Sequence, residues 1–412
     1  MNMKMKLAMG VALAAGAAVA RPELYLPETV YATYGVECNV YFKNVTDAIV
    51  PGRYGWKARC KIGRQEADRW TWFEKAPSEK SSPGSYPLVV EMWDDEHGVV
   101  RAATTTVKVV SAPADKSRSI RLALFADSLT NCRFQNYLYE MMDQNGFTNY
   151  LPVGTRPFSN SGDKTCKHEA NHDGYGGWGW NTFPTKYSLT EEEVASFQTE
   201  AERAQMQKFG VKLAKDQKWR ESLLKSPILR IRDGKKVLDV QAFFDKVNGG
   251  KAPDYLVIEL GTNDVFMPED ADRTNAVAGV RKSVVKLLDI MREAAPDMKI
   301  GVMTIQPGQD QDAFGRHYRC MQTEWNFRSN ILVYNRMLQD VVKGYGDPKL
   351  SIIPNHVMVD TDHNYITYDE LPNRRATVKV RRGGNAVHPD LPGGRQMADS
   401  IYSWLMAVEA DR

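Results

Sequence analysis

The sequence has no apolar run long enough to cross a membrane. Its longest, Leu7 to Ala20, has 14 residues, whereas a span takes about 20. Cysteine is scarce: Cys38, Cys60, Cys132, Cys166 and Cys320 are the only five in 412 residues. No two have CxxC spacing, so neither a zinc site nor a redox pair is supported. Five is odd, so under oxidising conditions at least one stays free or pairs between chains. A Cys38–Cys60 bridge is open, depending on whether their Cβ atoms meet. An excess of one charge sign is missing too. Lys plus Arg is 54 against 51 Asp plus Glu, a net charge of +3. Nothing in that balance asks for a polyanion, and no nucleic-acid partner is expected. The chain is 42% hydrophobic and 25% charged, which fits a globular protein and excludes a largely disordered or collagen-like one. At about 150 residues per domain, the length suggests two or three units.

The N-terminus sets an expectation about location. Lys4 and Lys6 precede the Leu7–Ala20 run, which ends Ala18-Val19-Ala20, a small-x-small site just before Arg21. Residues 1–20 therefore read as a secretory signal peptide cut after Ala20. A membrane anchor is the alternative, and the run is too short for it. No Cys stands at the cleavage point to take a lipid. Without Lys4 and Lys6, 52 basic residues face 51 acidic ones. The expected mature protein is soluble, nearly neutral, and secreted or periplasmic.

Residues 21–112 read as a small all-β domain. Thr29–Tyr34, Cys38–Phe42, Tyr54–Lys61, Pro87–Trp93 and Thr104–Val110 are short runs rich in Val, Tyr, Thr or Cys. Pro51-Gly52, Pro83-Gly84 and His97-Gly98 punctuate them. This spacing suggests an immunoglobulin-like sandwich, with Gly84–Val110 as its last hairpin. A polar linker, Ser111 to Ser117, follows. Residues 118–412 then change texture. Ile120–Phe125, Tyr255–Leu260, Ile300–Ile305 and Val357–Val359 suit strands buried on both faces. Helical patterns at Arg133–Asn145, Ala276–Ala295, Asn330–Val342 and Gly394–Val408 separate them. Strand–helix alternation of this kind predicts an α/β domain, a three-layer doubly wound parallel sheet. The charged stretch Glu191–Lys225 reads as a solvated surface helix, with a lid over the site as the sharper alternative.

In such a sheet, ligands bind beyond the carboxyl ends of the strands. The first strand runs into Ala126-Asp127-Ser128-Leu129. Ser128 is placed either as a nucleophile or as the cap of the next helix. The third ends Gly261-Thr262-Asn263-Asp264, where Asn263 would project an amide donor over the same edge. Gly383-Gly384-Asn385-Ala386-Val387-His388-Pro389 precedes the last helix. Each motif alone has an ordinary structural explanation. Together, Ser128, Asn263 and His388 fall on one edge of one sheet.

These blocks resemble those of the SGNH/GDSL hydrolases. Ala126–Leu129 matches the first block with Ala for Gly, Gly261–Asp264 matches the third, and Asn385–Pro389 the last. His172-Asp173-Gly174-Tyr175-Gly176-Gly177-Trp178 resembles the H-E-G-x-x-G-W loop of the carbohydrate-esterase branch. The resemblance spans about Ser119 to Arg412. It implies Ser128 as nucleophile and His388 as base. It implies oxyanion donors at the Ser128 N–H, the Gly177 N–H (or Gly176) and the Asn263 amide, and no cofactor. One position departs: the family's Asp, three residues before the His, is Asn385 here. Asn can orient an imidazole but cannot stabilise imidazolium by charge. The site then works as a dyad, borrows another carboxylate such as Asp360 or Asp362, or is weak or inactive. Asp390 lies too close to His388 in sequence to turn back onto it.

Tyr175, Trp178, Trp180 and Trp325 are placed either to stack on sugar rings or to pack the loops. His168, Glu169 and His172 have little metal-site character, because they lie in a Gly-rich loop rather than on a helix. The expected function is an exported serine esterase removing acyl groups, acetyl above all, from a polysaccharide or oligosaccharide. The alternatives are a weak or inactive glycan-binding protein on this fold, and an esterase of lipid or peptidoglycan esters.

Overall fold

The computed structural model describes residues 21–157, 163, 165–187, 225–233, 235–318 and 321–411. The expected signal peptide and residues 191–224 of the charged stretch lie outside the described residues, as does Cys320.

The first unit is built from β1 (Thr29–Thr33), β2 (Cys38–Tyr41), β3 (Gly55–Arg59), β4 (Arg64–Gln65), β5 (Arg69–Trp72), β6 (Gly84–Asp94) and β7 (Gly98–Val110). They form two sheets, ordered β1–β7–β6–β3 and β2–β5–β4. Val30, Leu88, Val90 and Val107 from one sheet share a core with Val40, Trp70 and Trp72 from the other. The hairpin expected at Gly84–Val110 is β6–β7, antiparallel with a bulge between Met92 and Trp93. β4 and β5, two and four residues long, are not in the sequence reading. Cys38 and Cys60 are free thiols, so the bridge left open between them is not formed.

The second unit is a mixed α/β domain around a parallel sheet. Its strands are β8 (Ile120–Ala126), β9 (Tyr150–Val153), β10 (Asp173–Gly174), β13 (Tyr255–Glu259), β14 (Lys299–Met303) and β15 (Leu350–Ile353). The order is β10–β8–β13–β14–β15, with β9 also on β8, and all these pairs are parallel. Two outlying hairpins are β11 (Leu229–Arg232) with β12 (Lys235–Leu238), and β16 (Thr367–Glu370) with β17 (Val380–Gly383). Successive side chains of a strand point to opposite faces. Phe125 and its neighbour Ile258 therefore face one way, where Phe125 lies 5.4 Å from Phe243 of helix Val240–Asn248. Tyr255 faces the other way and meets Trp404 of helix Leu391–Ala410 edge-on at 6.1 Å. Layers on both faces explain why β13 is apolar until its last residue.

Val357–Val359 is not a strand, contrary to the sequence expectation. Asn355–Met358 is a short helix after β15, and Val357 and Met358 enter the core of the first unit. The run is apolar because it is buried between domains, not because it pairs in a sheet. Arg328 locks the same junction. It is fully buried on helix Glu324–Tyr345 and donates to the carbonyls of Thr46 and Ala48, with Glu324 beside it at 2.8 Å. Arg328→Met would leave those carbonyls and Glu324 without their donor, at about 3 kcal/mol. Denaturant unfolding should show that loss. A loss below about 0.5 kcal/mol would show that the clamp adds nothing.

Candidate active site

The register gathers the site. Ala126 is paired with Gly174 on one side and with Glu259 on the other. Three strands thus end at one level, and the turns after them carry Ser128, Gly177 and Asn263. The β13 turn passes through Gly261 at φ +130°, where an added Cβ would sit 2.3 Å from the Tyr334 ring, so only glycine is accommodated there. His388 arrives from the loop before the last helix. Asp390 caps that helix through Leu391 N–H at 2.8 Å, and Gly394 lets it approach Cys132 where a Cβ would collide with the Cys132 carbonyl. Asp390 is occupied as that cap and does not turn toward His388.

Ser128 begins a short 3-10 helix, and its N-cap is Asp127, whose carboxylate accepts from Leu129 N–H at 2.8 Å. Capping is therefore done by Asp127, and the Ser128 hydroxyl is left for His388 Nε2, 2.8 Å away. On the other side of the ring, Asn385 Oδ1 lies 3.3 Å from Nδ1. That oxygen also accepts the backbone N–H of Val387 and of His388, both at 3.0 Å. Two fixed donors settle which way the amide points, so Oδ1 faces the imidazole. His388 then carries its proton on Nδ1 and offers a bare Nε2 to Ser128.

As a first-turn residue, Ser128 has an N–H with no intrahelical acceptor. Among the described residues, neither this N–H nor that of Gly177 has a protein acceptor. Asn263 differs from the expectation of a poised donor. Its amide donates to Asp127 Oδ2 at 3.0 Å and to the Trp178 carbonyl at 2.9 Å. Both N–H bonds are in use, tying the first and third motifs to the loop after β10.

Beneath these groups lies a nest of acids that the sequence reading did not single out. Glu259, the last residue of β13, is fully buried beside Asp127. Burial, then the neighbouring Asp127, hold its carboxyl well above the ordinary range. Burial also raises Asp127, and the nearby Asp264 adds to this. Asp264 accepts from Trp180 N–H at 3.3 Å and is raised by burial to about 6. An acid ending an otherwise apolar strand was the available signal. Asp127→Asn would put an NH₂ opposite either Leu129 N–H or the Asn263 amide, donor against donor. A fall in kcat of about tenfold is expected, with a stability loss of about 1–2 kcal/mol. Steady-state kinetics and denaturation check both, and an unchanged kcat would show that Asp127 does not hold Asn263.

The loop after β10 is packed, not open. Trp178 stacks on Tyr175 with ring centroids 4.0 Å apart, and Trp180 Nε1 donates to Tyr334 Oη at 2.6 Å. All three loop aromatics are buried, so of the two roles weighed for them, packing is the one realised. Trp325 is half-buried beside an indentation it shares with Met267 and Met321. His172 accepts from Gly174 N–H at 2.9 Å through Nδ1, and burial, with Arg156 beside it, lowers it to about 3. It is a neutral structural group. His168 faces Asp143 at 3.2 Å. Among the described residues, no group of His, Cys, Asp and Glu gathers as a metal site. The suggested substitute acids are engaged elsewhere. Asp362 pairs with Lys43 at 2.6 Å, and Asp360 with His363 at 3.0 Å. They follow the helix Asn355–Met358 rather than a strand end.

A parallel-sheet α/β fold with a serine, a histidine and backbone donors at the strand ends defines the class of this site. No protein-family model matches the chain, and no curated protein matches it. Solved structures similar to it include a carbohydrate esterase family 3 protein from Talaromyces cellulolyticus, at 16% identity and TM-score 0.39, covering 71% of this chain and 99% of that one. A family 3 carbohydrate esterase of Clostridium thermocellum is similar at 13% identity and TM-score 0.38, covering 71% and 100%. A Corynascus thermopiles family 2 enzyme with a carbohydrate-binding domain is similar at 14% identity and TM-score 0.33, covering 95% and 96%. Among the described residues, no helix is long and apolar enough to cross a membrane.

Proposed function

We propose that the protein is a serine esterase that removes acyl groups, acetyl first among them, from a polysaccharide. The observation that carries this is the Ser128–His388 contact at 2.8 Å, with Asn385 Oδ1 3.3 Å from the other ring nitrogen. Ester hydrolysis needs an activated hydroxyl and donors for the oxyanion. His388 Nε2 takes the Ser128 proton as Oγ bonds to the ester carbon. The Ser128 and Gly177 N–H groups receive the oxyanion, and Asn263 becomes the third donor by releasing the Trp178 carbonyl. The imidazolium then gives its proton to the departing sugar oxygen, leaving an acyl group on Ser128. Water, deprotonated by His388, frees the acid and restores the serine. The motif resemblance supports the acyl-glycan substrate. Export through residues 1–20, the immunoglobulin-like reading of the first unit, and its service as a platform for the glycan belong to the same proposal.

Asn385 favours a second reading, a glycan-binding protein that has lost turnover. Acetate release from a simple aryl acetate and from acetylated glycans separates the two. Release by the wild type that is lost in Ser128→Ala supports the esterase. No release from any substrate, with retained glycan binding, supports the second reading.

A further inference from the structure

The chain between the interdomain helix and His388 includes an arm the site described so far does not use. β16 and β17 form an isolated antiparallel hairpin joined by residues 371–379. Its base adjoins the site: Gly384 N–H donates to the Ile366 carbonyl at 2.8 Å, one residue before Asn385. Gly383 is seated against Asp310 so closely that an added Cβ would collide with its carboxylate. Two ion pairs fix the strands, Arg382 with Asp312 at 2.5 Å and Arg316 with Glu370 at 2.6 Å. With about 3.3 Å per residue, four paired residues carry the loop about 13 Å beyond its base.

The loop itself is one-signed. Arg374, Arg375 and Lys379 are exposed, no acid occurs between Leu371 and Lys379, and none of the three makes an ion pair among the described residues. The chain as a whole is almost balanced, so this positive charge is local. Apolar surface is interleaved with it: Tyr368 is 55% exposed and Val378 71%, with Leu371 between. An isolated two-stranded hairpin is marginal in water; one edge of the Tyr368 ring rests on Gly384 at its base, and the exposed Val378 contributes no core. Exposed charges and rings on an arm rooted at the histidine loop suit a ligand with repeated anions and apolar C–H faces.

We propose that the 367–383 arm binds an anionic polysaccharide, one carrying a carboxylate on its sugar rings, and presents its esters to Ser128. This rests on the esterase reading and names the substrate class for it: an acylated polyuronate rather than a neutral glycan. The cations meet the ring carboxylates, and Tyr368 and Val378 meet the C–H faces. Nucleic acid shares the charge but has no carboxylic ester for the adjacent site.

The test compares the wild type with a variant carrying Arg374→Gln, Arg375→Gln and Lys379→Gln. Substrates are acetylated polygalacturonate, acetylated xylan and an aryl acetate. KM for the polyuronate should rise at least tenfold in the variant, with kcat and aryl-acetate turnover unchanged. Added salt should raise the wild-type KM for the polyuronate alone, because exposed charges are screened. Equal KM values in wild type and variant would overturn the proposal. Binding to non-acetylated polygalacturonate is measured separately, by affinity electrophoresis of Ser128→Ala. Retardation lost on the triple substitution supports the arm even if no ester is cleaved, so failure of the esterase reading is distinguishable. No retardation by polygalacturonate, or retardation only by nucleic acid or anionic vesicles, overturns it.

Discussion

Ser128→Ala should lower kcat for aryl-acetate hydrolysis by about 10⁵-fold and leave the fold intact. The magnitude follows from the chemistry. Without the hydroxyl no acyl-enzyme forms, and only binding and oxyanion stabilisation remain. In serine hydrolases that residue of catalysis is about 10³–10⁴ over water, against losses near 10⁶ when the nucleophile goes. Retention of fold follows from the division of labour at this turn. Asp127 caps the helix, and the Ser128 hydroxyl meets His388. Its removal from a half-buried site should change stability by no more than about 0.5 kcal/mol. Active-site titration with an organophosphonate gives a second readout, with stoichiometric labelling expected in the wild type alone. Substantial turnover in Ser128→Ala would mean that another nucleophile acts.

Asn385→Asp should raise kcat by about 10²-fold and move the acid limb of the pH profile upward. A unit charge 3.3 Å from Nδ1 is worth about 5 kcal/mol to the imidazolium at an effective dielectric of about 20. Desolvation of the new carboxylate consumes part of that, and about 2–3 kcal/mol is a reasonable remainder. In a Ser-His-Asp protease the opposite change costs about 10⁴, through the wrong tautomer. That part is not at stake here. The Val387 and His388 N–H groups already hold Oδ1 toward the ring, and the same two donors would hold a carboxylate. The sign of the pH effect follows directly. A neighbouring anion favours the protonated imidazole, so the neutral base is lost at a higher pH as acid is added. A pH–rate profile of kcat/KM for both proteins checks it. A fall in kcat, or an unmoved acid limb, would show that the Asn385 position does not act through His388.

Part of the fold was legible in the residues, where it rests on local patterns. Five of the seven strands of the first unit follow from β-rich runs set between turns, and β4 and β5 do not. β8, β13 and β14 follow from apolar runs, and the long helices from their periodicity. The reading failed at Val357–Val359 for a physical reason. Apolar character reports burial, and burial between two domains looks the same in sequence as burial in a sheet. The tryptophans after β10 pose the same ambiguity. An aromatic loop is apolar whether it greets a sugar or packs on Tyr175 and Tyr334, and only the packing decided.

The site divides in the same way. The residue types and their order nominated the groups for the proposed ester chemistry: Ser128, Gly177, Asn263, His388, and the departure at Asn385. Those candidates came from the motifs and their resemblance to the SGNH/GDSL blocks. Tertiary structure decided what each is doing. It brought His388 to the Ser128 hydroxyl across 260 residues. It spent the Asn263 amide on Asp127 and Trp178, and sent Asp362 to Lys43 instead of His388. Hydrogen-bond partners 80 to 320 residues apart are chosen by register and close packing, which no local pattern encodes.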